Sequence, residues 1–286
     1  MGVRTSILGL AGFCLLAVSG AAAQASGAWD LEKVQMVSQT RGWALAQTSR
    51  GSILLKTSDS GRHWQNISPR GIWPLSPALV QMSQDVGAEG IDACSLDGRT
   101  GWVAMENHRD QVVVERTRDG GRHWAMSQFP DRVGYSLILS FRDPEHGSIL
   151  TISDMASGST RKALYRTNNG GKTWSVVTEA LPDHIDPHGV TFQNGSVGWL
   201  SAGYHGSDET PFYRTGDAGR HWRLQELDTS PLRDTSPHRQ DGYGETYPPA
   251  FFGSGRRSGI LPMRYEAHNP KRGGFALYET RNAGGT

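Results

Sequence analysis

The 286 residues carry 29 lysines and arginines against 28 aspartates and glutamates, which gives a formal net charge of +1, and 36 of them are glycine. Such a composition indicates a folded, turn-rich globular protein and excludes a disordered chain. The charge balance excludes a basic groove of the kind that binds nucleic acid, so no nucleic-acid partner is expected.

Residues 1–25 are predicted to be a secretory signal peptide. Arg4 supplies the positive charge, residues 7–18 the apolar core and Ala23 part of a small-residue cleavage site. The apolar run of about a dozen residues is too short to cross a bilayer. We therefore expect an exported protein, periplasmic or extracellular, with no transmembrane segment after signal removal.

The chain contains two cysteines, of which Cys14 lies in the predicted signal. The remaining Cys94 cannot form an internal disulfide by itself, so burial and sheet pairing must hold the fold together. Cys94 lies in a strand-like run, residues 91–95, and is interpreted as a small buried residue. The alternative is a redox or catalytic thiol.

A short sequence motif occurs five times in the mature chain: a Thr, an Asp or Asn two residues later, a Gly two residues after that and, in four of the copies, a Trp three residues after the Gly. Its Asp or Asn can accept backbone N–H groups in an Asx turn, and its Gly supplies a positive φ. Its Trp begins the return strand, where the ring can bury against a neighbouring sheet while the indole N–H finds an acceptor. We interpret these residues as structural. The copies are Thr57, Asp59, Gly61, Trp64; Thr117, Asp119, Gly121, Trp124; Thr167, Asn169, Gly171, Trp174; Thr215, Asp217, Gly219, Trp222; and Thr280, Asn282, Gly284.

Each copy follows one strand-like run and precedes another, so it is predicted to join the third and fourth strands of a small sheet. A Gly-Trp or Gly-apolar pair opens the second strand at a nearly constant distance before it, at Gly42, Gly101, Gly147, Gly198 and Gly259. A period of about 50 residues with four short strands is typical of a propeller blade. The prediction is an all-β propeller over residues 26–286, with four-stranded antiparallel blades at about 29–68, 90–130, 134–178, 189–227 and 250–286.

The motif resembles the Asp-box, or BNR repeat, of sialidases and sortilin-like receptors. Its pairing with Gly-Trp is most similar to the photosystem II assembly and stability factor (Ycf48-like) family of propellers. That resemblance implies a propeller of about seven blades that helps to assemble a membrane complex through a basic patch. The sequence itself shows only short basic pairs, at Arg256-Arg257 and Lys271-Arg272.

The fifth copy has no Trp and no following strand before Thr286. We therefore expect the ring to be incomplete within these residues, and the chain to be a piece of a longer propeller. One completed sixth blade, with the N-terminal strand closing the ring, is the alternative.

In four-stranded blades the five copies of the motif should all lie on one rim of the propeller. The loops between the second and third strands, and the loops between blades, should lie on the opposite rim. His63, His123 and His221 share one position of the motif and are interpreted as exposed turn residues, not as metal ligands, because equivalent positions in neighbouring blades are too far apart. The opposite rim carries the possible binding residues, since loops often carry function. They are His108, Asp110, Asp154, Asp183, His184, Asp186, His188, His205 and Asp208.

Three functions remain open from the sequence. The leading one is a non-catalytic exported scaffold that presents its loop rim to another protein or to an envelope or cell-wall component. The second is a glycoside hydrolase or lyase; the sialidase pattern has Tyr243 with Glu245 as its nearest Tyr–Glu pair, but no Arg-Ile-Pro segment. The third is a metal- or carbohydrate-binding module at His184, His188 and His205. No cofactor is expected, and no oligomeric state is predicted.

Overall fold

The computed structural model describes residues 13–14, 29–49, 51–70, 90–106, 111–130, 136–153, 161–183, 185–204, 210–228, 243–266, 274–282 and 284. These residues form five antiparallel sheets arranged as the blades of a β-propeller, which confirms the predicted all-β fold. Among them the helical structure is a single 3-10 turn, Ser254–Arg256. No described helix has the length and apolarity that a membrane span requires.

The first four blades share one strand order, in which consecutive strands pair along the chain. A two-residue strand, β1 (Phe13–Cys14), adds to the edge of blade one. Blade one contains β2 (Trp29–Met36), β3 (Gly42–Thr48), β4 (Gly51–Thr57) and β5 (Gln65–Asn66). Blade two contains β6 (Ile91–Ser95), β7 (Gly101–Glu106), β8 (Val112–Thr117) and β9 (Ala125–Gln128). Blade three contains β10 (Ser136–Phe141), β11 (Gly147–Ser153), β12 (Arg161–Thr167) and β13 (Ser175–Thr178), and blade four β14 (Ile185–Phe192), β15 (Gly198–Tyr204), β16 (Phe212–Thr215) and β17 (Arg223–Leu224).

Blade five has a broken first strand. Both β18 (Tyr243–Thr246) and β19 (Ala250–Phe252) pair with the same edge of β20 (Ser258–Glu266), while β21 (Gly274–Thr280) pairs with the other edge. Proline has no N–H to donate to a ladder, so the two prolines between β18 and β19 interrupt the strand. The blade therefore begins at Tyr243, before its predicted start at about residue 250.

The second strands of blades two and three start at a glycine because the backbone there touches an aromatic ring. A Cβ at Gly101 would enter the ring of Trp43 in blade one, and a Cβ at Gly147 would lie 2.6 Å from the ring of Phe141 in its own blade. The predicted Gly markers at residues 42, 101, 147 and 198 are the first residues of their strands, and Gly259 is the second residue of β20. At four of the five markers the glycine thus allows close packing on a ring, whereas at Gly42 the neighbour is Met36.

The core lies mainly between neighbouring blades. The tryptophans that follow the Gly markers, Trp43, Trp102 and Trp199, are the most deeply buried, with at most 2% of their surface exposed. Trp102 of blade two stacks on Phe141 of blade three at 3.5 Å between ring centroids. Of the tryptophans in the repeated motif, Trp174 is buried and the other three are half-buried. The Gly-Trp tryptophan is therefore the stronger anchor between sheets.

A buried carboxylate joins the first three blades near their inner strands. Asp92 on β6 accepts a hydrogen bond from the Lys33 ammonium of blade one at 2.5 Å and another from the backbone N–H of Leu139 in blade three at 2.8 Å. It also accepts the N–H of Ala93 at 2.7 Å. A buried charge is stable only when it is paired and hydrogen-bonded. These bonds therefore give Asp92 a structural role, in which it connects blade two to blades one and three. Cys94, on the same strand, is buried as expected for a small residue.

Candidate functional site

The five repeated turns share one hydrogen-bond pattern. In the first, the Thr57 hydroxyl donates to the Asp59 carboxylate at 2.9 Å and accepts the N–H of Gly61 at 2.9 Å. Asp59 in turn accepts the backbone N–H of His63 at 2.9 Å and contacts its ring nitrogen Nδ1 at 2.5 Å. The same Thr–Asp and Thr–Asn bonds recur in the other four turns at 2.8 to 3.0 Å. We call the rim that carries them the turn rim and the opposite one the loop rim.

The glycines and histidines of these turns take the places that a tight turn requires. The five glycines have φ between 74° and 94°, the left-handed region that side chains avoid. The rings of His63, His123 and His221 are 84% to 89% exposed, and each contacts the carboxylate of its own turn. Of the indole N–H groups, that of Trp124 donates to the Ile67 carbonyl at 3.0 Å. Those of Trp174 and Trp222 are buried and have no acceptor among the described residues, contrary to expectation.

Acid should weaken the turns that contain aspartate. The backbone N–H and the ring of His63 lower the pKa of Asp59 from 3.8 to about 2. Because the folded-state pKa is depressed, this contribution to stability is complete above the ordinary value and is lost as the pH falls through the folded one. We expect Asp59→Asn to reduce the acid dependence of the unfolding free energy, measured by urea unfolding at several pH values. Unchanged acid dependence would show that this carboxylate does not contribute.

The third turn indicates that Asp59→Asn is a conservative change. Asn169 occupies the equivalent position and accepts the backbone N–H of Thr173 at 3.0 Å, while its amide donates to the Thr173 hydroxyl at 2.7 Å. An amide can therefore hold this turn without a charge. The variant should lose mainly the part of the interaction that titrates.

A second repeated turn, which the sequence interpretation missed, joins the first and second strands. Its capping residue, Ser38, Asp97, Asp143 or Asn194, stands four residues before the Gly marker. Asp97 accepts the N–H groups of Arg99 and Thr100 at 2.8 and 2.6 Å, as an Asx turn does. Each of these hairpins then accepts a backbone N–H from the repeated turn of its own blade, so both turns build the turn rim.

On the loop rim, six of the nine predicted binding residues lie outside the described residues: His108, Asp110, Asp154, His184, His205 and Asp208. Asp183 and Asp186 are exposed, and His188 is half-buried on β14. Among the described residues no three His, Cys, Asp or Glu side chains are placed to share a metal ion. The predicted histidine centre can therefore be followed only at His188.

His188 belongs to the contact between blades four and five. Its Nδ1 donates to the Thr246 carbonyl at 2.9 Å, and its ring stacks on Tyr247 at 5.0 Å between centroids. The Tyr247 hydroxyl donates to Glu245 at 3.4 Å, and Arg264 lies 3.6 Å from the same carboxylate. Burial, and next the charge of Glu245, raise the pKa of Tyr247. The protonated phenol therefore serves as the hydrogen-bond donor to Glu245.

The exposed carboxylates of the loop rim lie close to a buried amine. Lys162 on β12 is 6% exposed, and its ammonium donates to the Pro182 carbonyl at 3.4 Å. Burial lowers the pKa of Lys162, and the charges of Asp183 and Asp186 oppose that shift. The two aspartates thus stabilise the charged form of the lysine, which supports a structural role for them in this part of the rim.

Arginines from three blades meet on the turn rim, and one of them, Arg256, belongs to a short basic pair noted in the sequence. Arg256 of blade five donates to the Arg142 carbonyl of blade three at 3.1 Å, and Gln193 of blade four donates to the Arg256 carbonyl at 3.0 Å. Arg166 lies 4.2 Å above the Phe192 ring and donates to the Gly195 carbonyl at 2.8 Å. We call Arg142, Arg166, Arg220 and Arg256 the arginine cluster.

The positive charges of the arginine cluster disfavour one another, and Asp143 offsets part of this repulsion. Burial, then Arg142 and Arg220, lower the pKa of Arg166. Burial and Arg142 also lower the pKa of Arg256, while the charge of Asp143 opposes that shift. Asp143 makes one compensating contact, 2.9 Å from Nε of Arg142. Nη1 of Arg142 and Nε of Arg256 are buried and have no acceptor among the described residues. Arg256 also adopts a φ of 50°, which is uncommon for a residue with a side chain. The cluster therefore has two buried guanidinium nitrogens without an acceptor among the described residues, and several positive charges lie close to them.

No protein-family model matches the chain, and no curated protein matches it. Among solved structures, it is similar to a protein of unknown function from Dyadobacter fermentans, with 13% identity, a TM-score of 0.50, and coverage of 88% of this chain and 74% of that one. It is also similar to YCF48 bound to D1 peptide, with 14% identity, a TM-score of 0.41, and coverage of 84% of this chain and 75% of that one.

A third similarity is to the GH74 xyloglucanase from Xanthomonas campestris, with 16% identity and a TM-score of 0.46. The match covers 86% of this chain but 36% of the xyloglucanase, so this chain spans about a third of that enzyme. At such identities the likeness concerns the fold alone and does not separate a scaffold from an enzyme. The chain shares the β-propeller fold with the Dyadobacter protein.

Proposed function

We propose that this chain is an exported, non-catalytic β-propeller that acts as a binding or assembly scaffold and holds an anionic group of its partner at the arginine cluster. The observation that carries the proposal is the pair of buried guanidinium donors without acceptors, on Arg142 and Arg256. An unmade hydrogen bond on a buried charged group is costly, and a carboxylate or phosphate oxygen is the acceptor that arginine binds best. A partner that presents such an oxygen would offset part of the positive charge of the cluster, and it would reach the two buried donors once their side chains turn outward.

The described part of the loop rim offers less to a partner. His188 and Tyr247 make contacts between blades four and five, and the charges of Asp183 and Asp186 favour the charged form of Lys162. Contact through the rest of that rim, including His184 and His205, stays a prediction. Export through the signal peptide likewise stays part of the proposal, since it rests on the sequence alone.

The arginine cluster should bind oxyanions. We expect sulfate and acetate to raise the thermal unfolding midpoint of the purified protein in a saturable manner, relative to chloride at equal ionic strength, because binding to the folded state stabilises it. Arg256→Gln should abolish the saturable part. Arg62→Gln is the matched control, since Arg62 lies exposed on the first repeated turn of blade one. Equal responses of Arg256→Gln and the wild type would contradict the proposal.

A glycoside hydrolase is the second candidate, and the contact between Tyr247 and Glu245 is the observation that favours it. A Tyr–Glu pair can act as nucleophile and base in glycosidases of the sialidase type. Release of sugar from a glycan panel by the wild type, and its loss in Glu245→Gln, would favour the enzyme over the scaffold.

A further inference from the structure

The sequence contains two Asn-Gly pairs, which lie in different kinds of turn. One is Asn169-Gly170 in the repeated turn of blade three, and the other is Asn194-Gly195 in the hairpin between β14 and β15. In such a pair the backbone nitrogen of the glycine can attack the side-chain amide of the asparagine, because glycine has no side chain to hinder the approach. Whether a pair reacts therefore depends on how the fold holds the glycine N–H and the amide.

In the first pair both reacting groups are held by hydrogen bonds. The N–H of the buried Gly170 donates to the Glu145 carbonyl at 2.9 Å, and this bond must break before the nitrogen can attack. The amide nitrogen of Asn169 donates to the Thr173 hydroxyl at 2.7 Å. The repeated turn therefore protects its own asparagine.

In the second pair the attacking nitrogen is free and the amide is polarised. Asn194 and Gly195 are both exposed, and the Gly195 N–H has no acceptor among the described residues. The side-chain oxygen of Asn194 accepts the N–H groups of Ser196 and Val197, each at 2.8 Å. These donors would stabilise the negative charge that develops on this oxygen during the attack. The amide nitrogen makes one longer bond, to Gln193 at 3.2 Å.

The residues on either side of Asn194 contact the arginine cluster. The Gly195 carbonyl accepts a hydrogen bond from Arg166 at 2.8 Å, and the Gln193 amide donates to the Arg256 carbonyl at 3.0 Å. A change of charge at position 194 would therefore act close to two of the four arginines.

The equivalent turns of blades two and three show that a carboxylate fits this position. Asp97 and Asp143 each accept the N–H groups two and three residues later, which is the pattern that Asn194 also makes. Asp143 in addition lies 2.9 Å from Nε of Arg142. Aspartate at position 194 would thus keep the turn and add a negative charge beside the cluster.

We propose that Asn194 is a site of deamidation, and that its conversion to a carboxylate weakens anion binding at the arginine cluster; the second half rests on the proposed function. The Gly195 nitrogen loses its proton and bonds to Cγ of Asn194, and the Cγ–Nδ2 bond breaks to release ammonia. Water then opens the cyclic imide at Cγ to give aspartate, or at the backbone carbonyl carbon to give isoaspartate. The net reaction consumes one water and releases one ammonia.

Peptide mapping tests the modification without reference to anion binding. The whole purified chain is incubated at mildly alkaline pH and digested with trypsin, which separates the two pairs into peptides 167–172 and 173–214. Peptide 173–214 should gain the mass of one deamidation, placed at Asn194 by fragmentation. It should do so at least about tenfold faster than peptide 167–172, whose reaction must first break hydrogen bonds. Equal rates would overturn the proposal.

Gly195→Ala is the matched variant for the same measurement. No atom lies within 4 Å of the position that the added Cβ would take, and Gly195 is not among the residues with positive φ, so the turn should be kept. The methyl group hinders the approach of the nitrogen and should slow the reaction by at least about tenfold. An unchanged rate would show that attack by this nitrogen is not the route.

Asn194→Asp tests the effect on binding. The sulfate concentration that gives half of the rise in the thermal unfolding midpoint should increase about threefold, because the new carboxylate competes with the bound anion for the arginines. Asn66→Asp, at an exposed position on β5, is the matched control and should leave it unchanged. An unchanged sulfate response in Asn194→Asp would overturn the effect on binding. Absence of any saturable response in the wild type would overturn the proposed function as well, while the peptide map would still decide the modification.

Discussion

Replacing Trp102 with alanine should lower the free energy of unfolding by about 3–5 kcal/mol, the range for removing a large buried aromatic side chain. Trp102 is 2% exposed and stacks on Phe141 of the next blade at 3.5 Å. Its loss would leave a cavity between blades two and three, which rigid sheets on either side cannot easily close. Urea unfolding followed by circular dichroism measures the change. Met126→Ala, at a side chain that is 57% exposed, should have little effect.

A second pair of variants separates the packing of this ring from its hydrogen bond. The Trp102 N–H donates to the Gly170 carbonyl of blade three at 2.9 Å, whereas the N–H of Trp43 is buried and has no acceptor among the described residues. Trp102→Phe should therefore be more destabilising than Trp43→Phe, by about 1 kcal/mol. Equal losses would show that the bond to Gly170 adds nothing to the packing.

The sequence alone was sufficient to predict the propeller, because the features that define it are local and repeated. The Thr–Asp–Gly turn specifies its own hydrogen bonds within a few residues, and the Gly-Trp marker predicts where each second strand begins. The second repeated turn was equally local, at Ser38, Asp97, Asp143 and Asn194, but its capping residue varies. A search for one residue type at that position could not find it.

The features that involve several blades could not be predicted in this way. Arg142 and Arg256 are separated by more than a hundred residues and meet only because three blades curve around a common centre. A period of repeats gives the number and order of strands, while contacts across the rim depend on the tilt and twist of each sheet.

The repeated turn also predicts which glycines the fold cannot replace. Gly121→Ala should lower the unfolding free energy by about 2–4 kcal/mol, because the left-handed conformation and the lack of space both disfavour a side chain there. Its φ is 87°, and a Cβ would lie 2.6 Å from Cβ of Ile67, an atom that cannot move without its backbone. The Ile67 carbonyl accepts the Trp124 N–H, so the displacement should reach the contact between blades one and two. Urea unfolding measures the loss.

Gly216→Ala provides the matched control within another copy of the turn. No atom lies within 4 Å of the position that its Cβ would take, and Gly216 is not among the residues with positive φ. This change should be neutral or stabilise the protein by up to about 1 kcal/mol, since alanine restricts the unfolded chain more than glycine does. If both substitutions had the same effect, the turn would tolerate side chains at its left-handed position. The blades would then not depend on close approach at Gly121, and the packing of one sheet on the next would have to be set by the tryptophans alone.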